Sequence, residues 1–163
     1  MKRFLLLPLF CALCGVCLAQ EKSPKGGFEF TLSENLLPGT HQLMNFAGVS
    51  VGYAFPSNDK ILLDFSFGNN VTGMNYKSQV LSLMYGHEMR HSERFGTQFA
   101  IGPGLLRDFQ PDTGYVFKPV GTLEVQHRIY FTSRSFIGLS AKAFVTKNYQ
   151  QASFIGVTWG GKF

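Results

Sequence analysis

The chain has little cysteine and few charged residues. Its 163 residues include three cysteines, and all three lie within the first 17 positions. Charged residues make up 15% of the chain, below the roughly one quarter that is typical of globular domains. Without its first residues, the chain would have no disulfide framework, no cysteine-based metal site and no thiol nucleophile.

Long apolar runs are also missing beyond the amino terminus, so no later segment predicts a membrane-spanning helix. The formal net charge of +5 is small and spread along the chain, which gives no argument for nucleic-acid binding. Aromatic residues, at 15%, and 18 glycines are plentiful instead. This composition suits a barrel with an aromatic outer surface and a crowded interior.

The amino terminus has the three parts of a secretory signal. Lys2 and Arg3 form a short basic region, and residues 4–18 form an apolar stretch. That stretch is short for a spanning helix and long enough for the core of a signal peptide. Cys17 and Ala19 place small residues at the two positions that precede a cleavage site.

We therefore expect a signal peptide over residues 1–19 and one mature domain over residues 20–163. An uncleaved membrane anchor is the alternative. N-terminal mass analysis would show Gln20 as the first residue after cleavage and Met1 if the anchor were retained. The mature chain would be free of cysteine.

Apolar and polar side chains alternate through most of the remaining sequence. In the last segment, one register is large and apolar and the other is small or polar: Ile155, Val157, Trp159 and Phe163 against Gly156, Thr158, Gly160 and Lys162. A period of two predicts β-strands. About eight such segments predict an all-β fold, an eight-stranded antiparallel up-and-down transmembrane barrel.

The connections are expected to alternate between short turns and longer loops, the pattern of outer-membrane barrels. Residues 106–119 and 146–152 are predicted to be long loops, and residues 87–93 a short polar turn. Pro103 has no N–H to donate to a ladder, so the fifth strand is expected to end or bulge there.

The two registers distinguish a membrane barrel from a soluble one. A soluble ligand-binding barrel would bury the apolar register, which contains many aromatic residues, and expose a register rich in small ones: Gly52, Ala54, Gly86, Ala100 and Gly160. Small residues make a poor solvent face and a good crowded interior. We therefore expect the apolar register to face lipid.

Charged residues on the inward register are expected to form a network: Glu29, Asp64, Glu124, Arg128, Lys142 and Lys162. Unpaired charges inside a narrow barrel would be costly, whereas paired ones would fill it. We interpret the set as a structural network that closes the interior. A translocation path or an acid/base site is the alternative.

Residues 87–91 read His-Glu-Met-Arg-His, which matches H-E-x-x-H. On a helix this spacing places two histidines on one face for zinc, with the glutamate as general base, and it resembles the motif of zincin metalloproteases. The flanking residues alternate with period two, and no third ligand follows. We expect a turn in which His87 and Glu88 are replaceable, with no metal or other cofactor. A secreted zinc peptidase that uses His87, Glu88 and His91 is the alternative.

The signal, the alternation and the last four residues, Gly-Gly-Lys-Phe, resemble small eight-stranded outer-membrane barrels of the OmpA/OmpX kind. The resemblance implies the outer membrane of a Gram-negative-type bacterium. It also implies a monomer whose partners are outer-membrane lipid and the barrel-assembly machinery. Ile155, Val157, Trp159 and Phe163 would form the assembly signal.

The resemblance implies location more strongly than function, because such barrels include anchors, adhesins and enzymes. We expect a non-enzymatic structural or surface-binding role carried by the extracellular loops. The chain also has a weaker likeness, over residues 121–125 and 130–134, to TraO-type barrels of conjugative transposons. That likeness implies an accessory role in conjugal transfer as the alternative.

Deletion of Phe163 should lower the amount of protein assembled in the outer membrane and leave export unchanged. The reason is that the resemblance places the terminal aromatic in the assembly signal. Fractionation of cells that express the wild-type and shortened chains would measure this. Normal accumulation of the shortened chain in the outer membrane would contradict the prediction.

Overall fold

The computed structural model describes residues 26–37, 44–70, 77–110, 113–146 and 149–163. The predicted signal peptide lies outside these residues. In the described part of the chain, no helix is long and apolar enough to cross a membrane.

Eight strands form one sheet: β1 (Gly27–Leu37), β2 (Met44–Ala54), β3 (Asp59–Asn70), β4 (Lys77–Arg90), β5 (Phe95–Gln110), β6 (Gly114–Tyr130), β7 (Ser135–Thr146) and β8 (Tyr149–Lys162). Each strand pairs antiparallel with the next, and β8 pairs with β1 to close the barrel. The expected eight-stranded antiparallel barrel is confirmed.

Three four-residue turns join strands at one end of the barrel, here called the turn end: 55–58, 91–94 and 131–134. The predicted long loops at the opposite end are wrong in two places. Strands β5 and β6 run through residues 106–119 and leave only 111–113 between them. Strands β7 and β8 are separated only by residues 147–148.

The hairpin of β5 and β6 projects beyond the closed part of the barrel. These strands have 16 and 17 residues, whereas the other six have 11 to 14. Along the inward register of β6, Val116 and Lys118 are half-buried, whereas Val120 is buried. Gly114 has φ +74°, a left-handed conformation that glycine adopts without strain in a tight connection.

Pro103 lies inside β5, so the prediction that the strand ends or bulges there is wrong. It pairs with Gly121 of β6. The ladder between β5 and β4 is interrupted between the pairs Ser82–Gly104 and Tyr85–Ile101. Two residues are skipped on each strand, so the register does not shift. The missing N–H therefore removes ladder contacts on one side only, and pairing with β6 keeps the strand in register.

The apolar register faces outward. Leu83 and Leu139 are 55% and 62% exposed. Among the described residues, the buried set contains 20 polar or charged side chains and 10 hydrophobic ones. This is the reverse of a soluble barrel, so the soluble ligand-binding alternative is wrong.

Exposed aromatic side chains surround the turn end of the outer surface: Phe28, Tyr53, Phe55, Tyr85, Phe95, Phe131 and Phe163. The rings of Phe28 and Tyr53 meet edge to face, with centroids 5.5 Å apart. Tyr53 and Phe55 do the same at 5.2 Å. Aromatic rings in such a band are typical of proteins that meet a membrane interface.

Candidate functional site

The barrel interior contains a group of charges around Glu88, here called the Glu88 cluster. The Lys60 side chain is fully buried, and its ammonium nitrogen donates to Glu88 Oε2 and to Glu29 Oε2, both at 2.6 Å. It also donates to Gln98 Oε1 at 2.8 Å. These three acceptors come from β4, β1 and β5, so one ammonium group connects opposite sides of the barrel.

Arg128 of β6 extends the Glu88 cluster. Its guanidinium group is paired with Glu29 Oε1 at 2.8 Å and lies 3.5 Å from Glu88 Oε2. Its Nε donates to Gln126 Oε1 at 2.9 Å. The group also lies over the ring of Phe136, 3.9 Å from the centroid. Arg128 is thus held by ion pairs, a hydrogen bond and a cation–π contact.

Three further side chains reach Glu88 from the turn end. The Lys162 ammonium donates to Glu88 Oε2 at 2.9 Å, and Arg90 Nε donates to Glu88 Oε1 at 2.7 Å. The Tyr130 hydroxyl also donates to Glu88 Oε1. Both oxygens of this carboxylate are therefore occupied, and four cations surround the two carboxylates of the cluster.

A second group, the Lys142 cluster, lies nearer the opposite end. The Lys142 ammonium donates to Asp64 Oδ1 at 2.8 Å and to Ser66 Oγ at 3.3 Å. It lies 3.5 Å from Glu124 Oε1, which accepts a hydrogen bond from Gln126 Nε2 at 3.0 Å. Since Gln126 also accepts from Arg128, it connects the two clusters.

Apolar side chains also occupy part of the described interior. Leu62, Met84 and Ala100 form one buried cluster. A second cluster lies toward the end opposite the turns and packs against the half-buried Leu106: Phe46, Val80, Val120 and Phe144. In the second cluster, the rings of Phe46 and Phe144 have centroids 5.8 Å apart.

The structure places five of the six residues of the predicted interior network on buried positions and the sixth, Lys162, on a half-buried one; the buried five are Glu29, Asp64, Glu124, Arg128 and Lys142. They form two clusters rather than one, because Arg128 pairs within the Glu88 cluster and Glu124 within the Lys142 cluster. Their contribution to stability remains a prediction.

Sequence reasoning missed Lys60 and Glu88, which make most of the contacts in the first cluster. Glu88 falls within the predicted turn over residues 87–93 but lies inside β4, and Lys60, absent from the predicted network, is the second residue of β3. Continued alternation was the available signal. Lys60 is two positions before the inward Leu62, and Glu88 is two positions after the inward Gly86.

The H-E-x-x-H segment neither forms a turn as a whole nor assembles a metal site. Strand β4 continues to Arg90, so the predicted turn over residues 87–93 is wrong. His87 is exposed and meets Asp59 Oδ1 at 2.8 Å, whereas the adjacent Glu88 is buried in the interior. His91 Nε2 lies 2.8 Å from Thr97 Oγ1.

A strand thus sends neighbouring side chains to opposite faces, and the zinc-peptidase geometry cannot form. Among the described residues, no group of three or more His, Cys, Asp or Glu side chains could hold a metal ion.

The residues of the predicted assembly signal lie on the outer face of β8 and at the carboxyl terminus. Ile155, Val157 and Phe163 are exposed, and Trp159 is half-buried. The Phe163 N–H donates to the Phe28 carbonyl at 2.8 Å, so pairing with β1 continues to the last residue. Their role in assembly remains a prediction.

No protein-family model matches the chain, and no curated protein matches it in sequence. Solved structures do match. The N-terminal β-barrel domain of Pseudomonas aeruginosa OprF aligns with a TM-score of 0.69 at 14% identity, covering 87% of this chain and all of that domain. Neisserial surface protein A (NspA) aligns with a TM-score of 0.65 at 10% identity, covering 88% of this chain and all of NspA.

The outer membrane enzyme PagL also matches, with a TM-score of 0.54 at 10% identity, covering 81% of this chain and 97% of PagL. At these identities the likeness shows the fold alone. The chain therefore has the fold of small outer-membrane β-barrels.

The burial of Glu88 among cations reverses the expectation that this residue is replaceable. Replacing Glu88 with glutamine should lower the free energy of unfolding by about 3–5 kcal/mol, because it leaves buried cations without their shared carboxylate. Unfolding in denaturant after reconstitution into lipid vesicles would measure this loss. The heat-dependent band shift on SDS gels would report the folded fraction.

Glu93→Gln is the matched control, since it removes the same charge from an exposed turn residue. We expect it to change the free energy of unfolding by less than about 0.5 kcal/mol. Equal unfolding midpoints for the two variants would contradict a stabilising role for the Glu88 cluster.

Proposed function

We propose that the chain is an integral outer-membrane protein of a Gram-negative-type bacterium, with a structural or surface-binding role and no enzymatic activity. The observation that carries the proposal is the inversion of the barrel. Charged side chains such as Lys60 and Arg128 are buried inside, while large apolar side chains cover the outside. Such a surface is suited to lipid and poorly suited to water.

Closure of the sheet supports the membrane location. In hydrocarbon there is no water to satisfy the backbone, so only structures whose N–H and C=O groups pair internally can span a bilayer. The pairing of β8 with β1 removes the two sheet edges that an open sheet would expose. The aromatic band at the turn end would then lie at one membrane interface.

The filled interior argues against a transport role. Barrels of eight strands enclose a space that side chains can fill, unlike the wide channels of sixteen-stranded porins. Here the Glu88 cluster, the Lys142 cluster and two apolar clusters occupy successive levels. We propose that they close the path for ions and solutes.

A non-enzymatic role is supported by the contacts of Glu88, the residue that an H-E-x-x-H motif would use as general base. Glu88 has both carboxylate oxygens engaged by cations and a hydroxyl, so neither is available to accept a proton from a substrate. His87, His91 and His127 are exposed, and their rings meet Asp59 or Thr97 rather than Glu88.

A surface-binding role would be carried by the projecting hairpin of β5 and β6, since the predicted long loop there is largely strand. Tyr115 and Phe117 are exposed on this hairpin. The Arg107 guanidinium lies over the Tyr115 ring, 3.7 Å from its centroid. Aromatic and arginine side chains are the types enriched in binding hot spots.

Single cysteines should report location and orientation together, because the mature chain has no other cysteine. A membrane-impermeant maleimide should label Thr113→Cys, at the tip of the hairpin, on intact cells. Ser133→Cys, in a turn at the other end, should be labelled only after the outer membrane is permeabilised. Equal labelling of the two variants on intact cells would contradict the proposed orientation.

The wild-type protein should show no sustained conductance in planar bilayers, because side chains fill the barrel at several levels. A sixteen-stranded porin in the same bilayers is the positive control. Steady single-channel openings from the purified wild-type chain would overturn the closed interior and favour a transport role.

A further inference from the structure

The turn end of the barrel opens into a depression that the proposed function does not use. Its wall is formed by Gly26, by Arg94 in the turn over residues 91–94, and by Ser133 in the turn over residues 131–134. Arg90 and Lys162 line it from below, where they meet the Glu88 cluster. We call this depression the turn-end mouth.

Cations exceed carboxylates around the floor of the mouth. The Glu88 cluster has two carboxylates, those of Glu29 and Glu88. It has four cationic side chains: Lys60, Arg90, Arg128 and Lys162. At the rim, Arg94 and Glu93 contribute one charge of each sign. Among these side chains the excess is therefore two positive charges.

The two cations nearest the mouth are the ones with exposed surface. The Arg90 and Lys162 side chains are 30% and 15% exposed, whereas those of Lys60 and Arg128 are fully buried. Arg90 donates from Nε to Glu88, makes a long contact of 3.5 Å from Nη1 to the Glu93 carbonyl, and stacks over the Tyr130 ring, 3.5 Å from its centroid. Lys162 donates one of its three N–H groups to Glu88 Oε2 at 2.9 Å, and its ammonium nitrogen lies 6.0 Å from the centroid of the Tyr130 ring. Both retain N–H groups for an anion.

Hydroxyl groups at the rim add neutral donors. Ser92 Oγ accepts hydrogen bonds from the backbone N–H groups of Arg94 and Phe95. Thr132 Oγ1 accepts from those of Arg134 and Ser135. Because each oxygen acts as an acceptor in its own turn, its O–H remains to be donated toward the mouth.

We propose that the turn-end mouth binds a phosphate group, held by Arg90 and Lys162 at its floor. A phosphate monoester carries between one and two negative charges at neutral pH and has three acceptor oxygens. It therefore matches the excess of positive charge and the number of donors better than a carboxylate does. The site does not depend on which membrane holds the barrel or on what the projecting hairpin contacts.

Isothermal titration calorimetry of the full mature chain in neutral detergent would test the proposal with inorganic phosphate and, for comparison, acetate. We expect phosphate to bind and acetate to bind about tenfold more weakly or not measurably, since charged hydrogen bonds are lost. Arg90→Gln and Lys162→Gln should each weaken phosphate binding about tenfold. Lys118→Gln, a half-buried position on β6 toward the opposite end, should bind phosphate as the wild type does.

Because Arg90→Gln and Lys162→Gln alter the Glu88 cluster, Ser133→Asp is the variant that leaves it intact. It adds a negative charge at the rim and should also weaken phosphate binding. Mixed micelles that contain phosphatidic acid would separate a lipid headgroup from a soluble phosphate as the source. Absence of binding to both, or binding that Arg90→Gln, Lys162→Gln and Ser133→Asp all leave unchanged, would overturn the proposal.

Discussion

The structure depends on the closure of the β-sheet between β8 and β1. Once the last strand pairs with the first, the closed part of the barrel has no free sheet edge, and the backbone there needs little water along the barrel wall. Closure also fixes the side of every residue, because successive side chains of a strand point to opposite faces. Alternation in the sequence is thereby converted into an outer surface and an interior.

The interior that results is narrow, so each charge in it needs a partner of opposite sign. Lys60 meets this need by contacting side chains from three other strands, and Lys142 does so from two. Burial of these groups costs solvation free energy that ion pairing roughly offsets. The two clusters therefore matter less for the net free energy of unfolding than for the register of the strands. A strand register that separates the partners would leave buried charges unpaired.

The two ends of the barrel have different characters. At the turn end, short turns surround a depression whose floor is cationic. At the opposite end, an apolar cluster fills the interior and the hairpin of β5 and β6 rises above it with exposed aromatic residues. A partner at the turn end would be selected by charge, and a partner at the hairpin would be selected by apolar contact. The two surfaces can thus serve separate purposes.

The sequence by itself determined the strand count, the faces of the strands and the outward direction of the apolar register. These are local properties, since a period of two can be recognised within a single segment. It also identified Glu29, Asp64, Glu124, Arg128 and Lys142 as inward charges. It did not find the ends of β4, β5 and β6, because strand ends depend on whether a neighbouring strand continues the ladder.

Only the tertiary structure decided which charges meet. Lys60 and Glu88 are 28 residues apart in sequence, and their 2.6 Å contact exists because β3 and β4 run side by side and point both residues inward. For the same reason His87 and Glu88, adjacent in sequence, are separated by the wall of the barrel. Pairing between strands sets these distances, and no local pattern of residues encodes them.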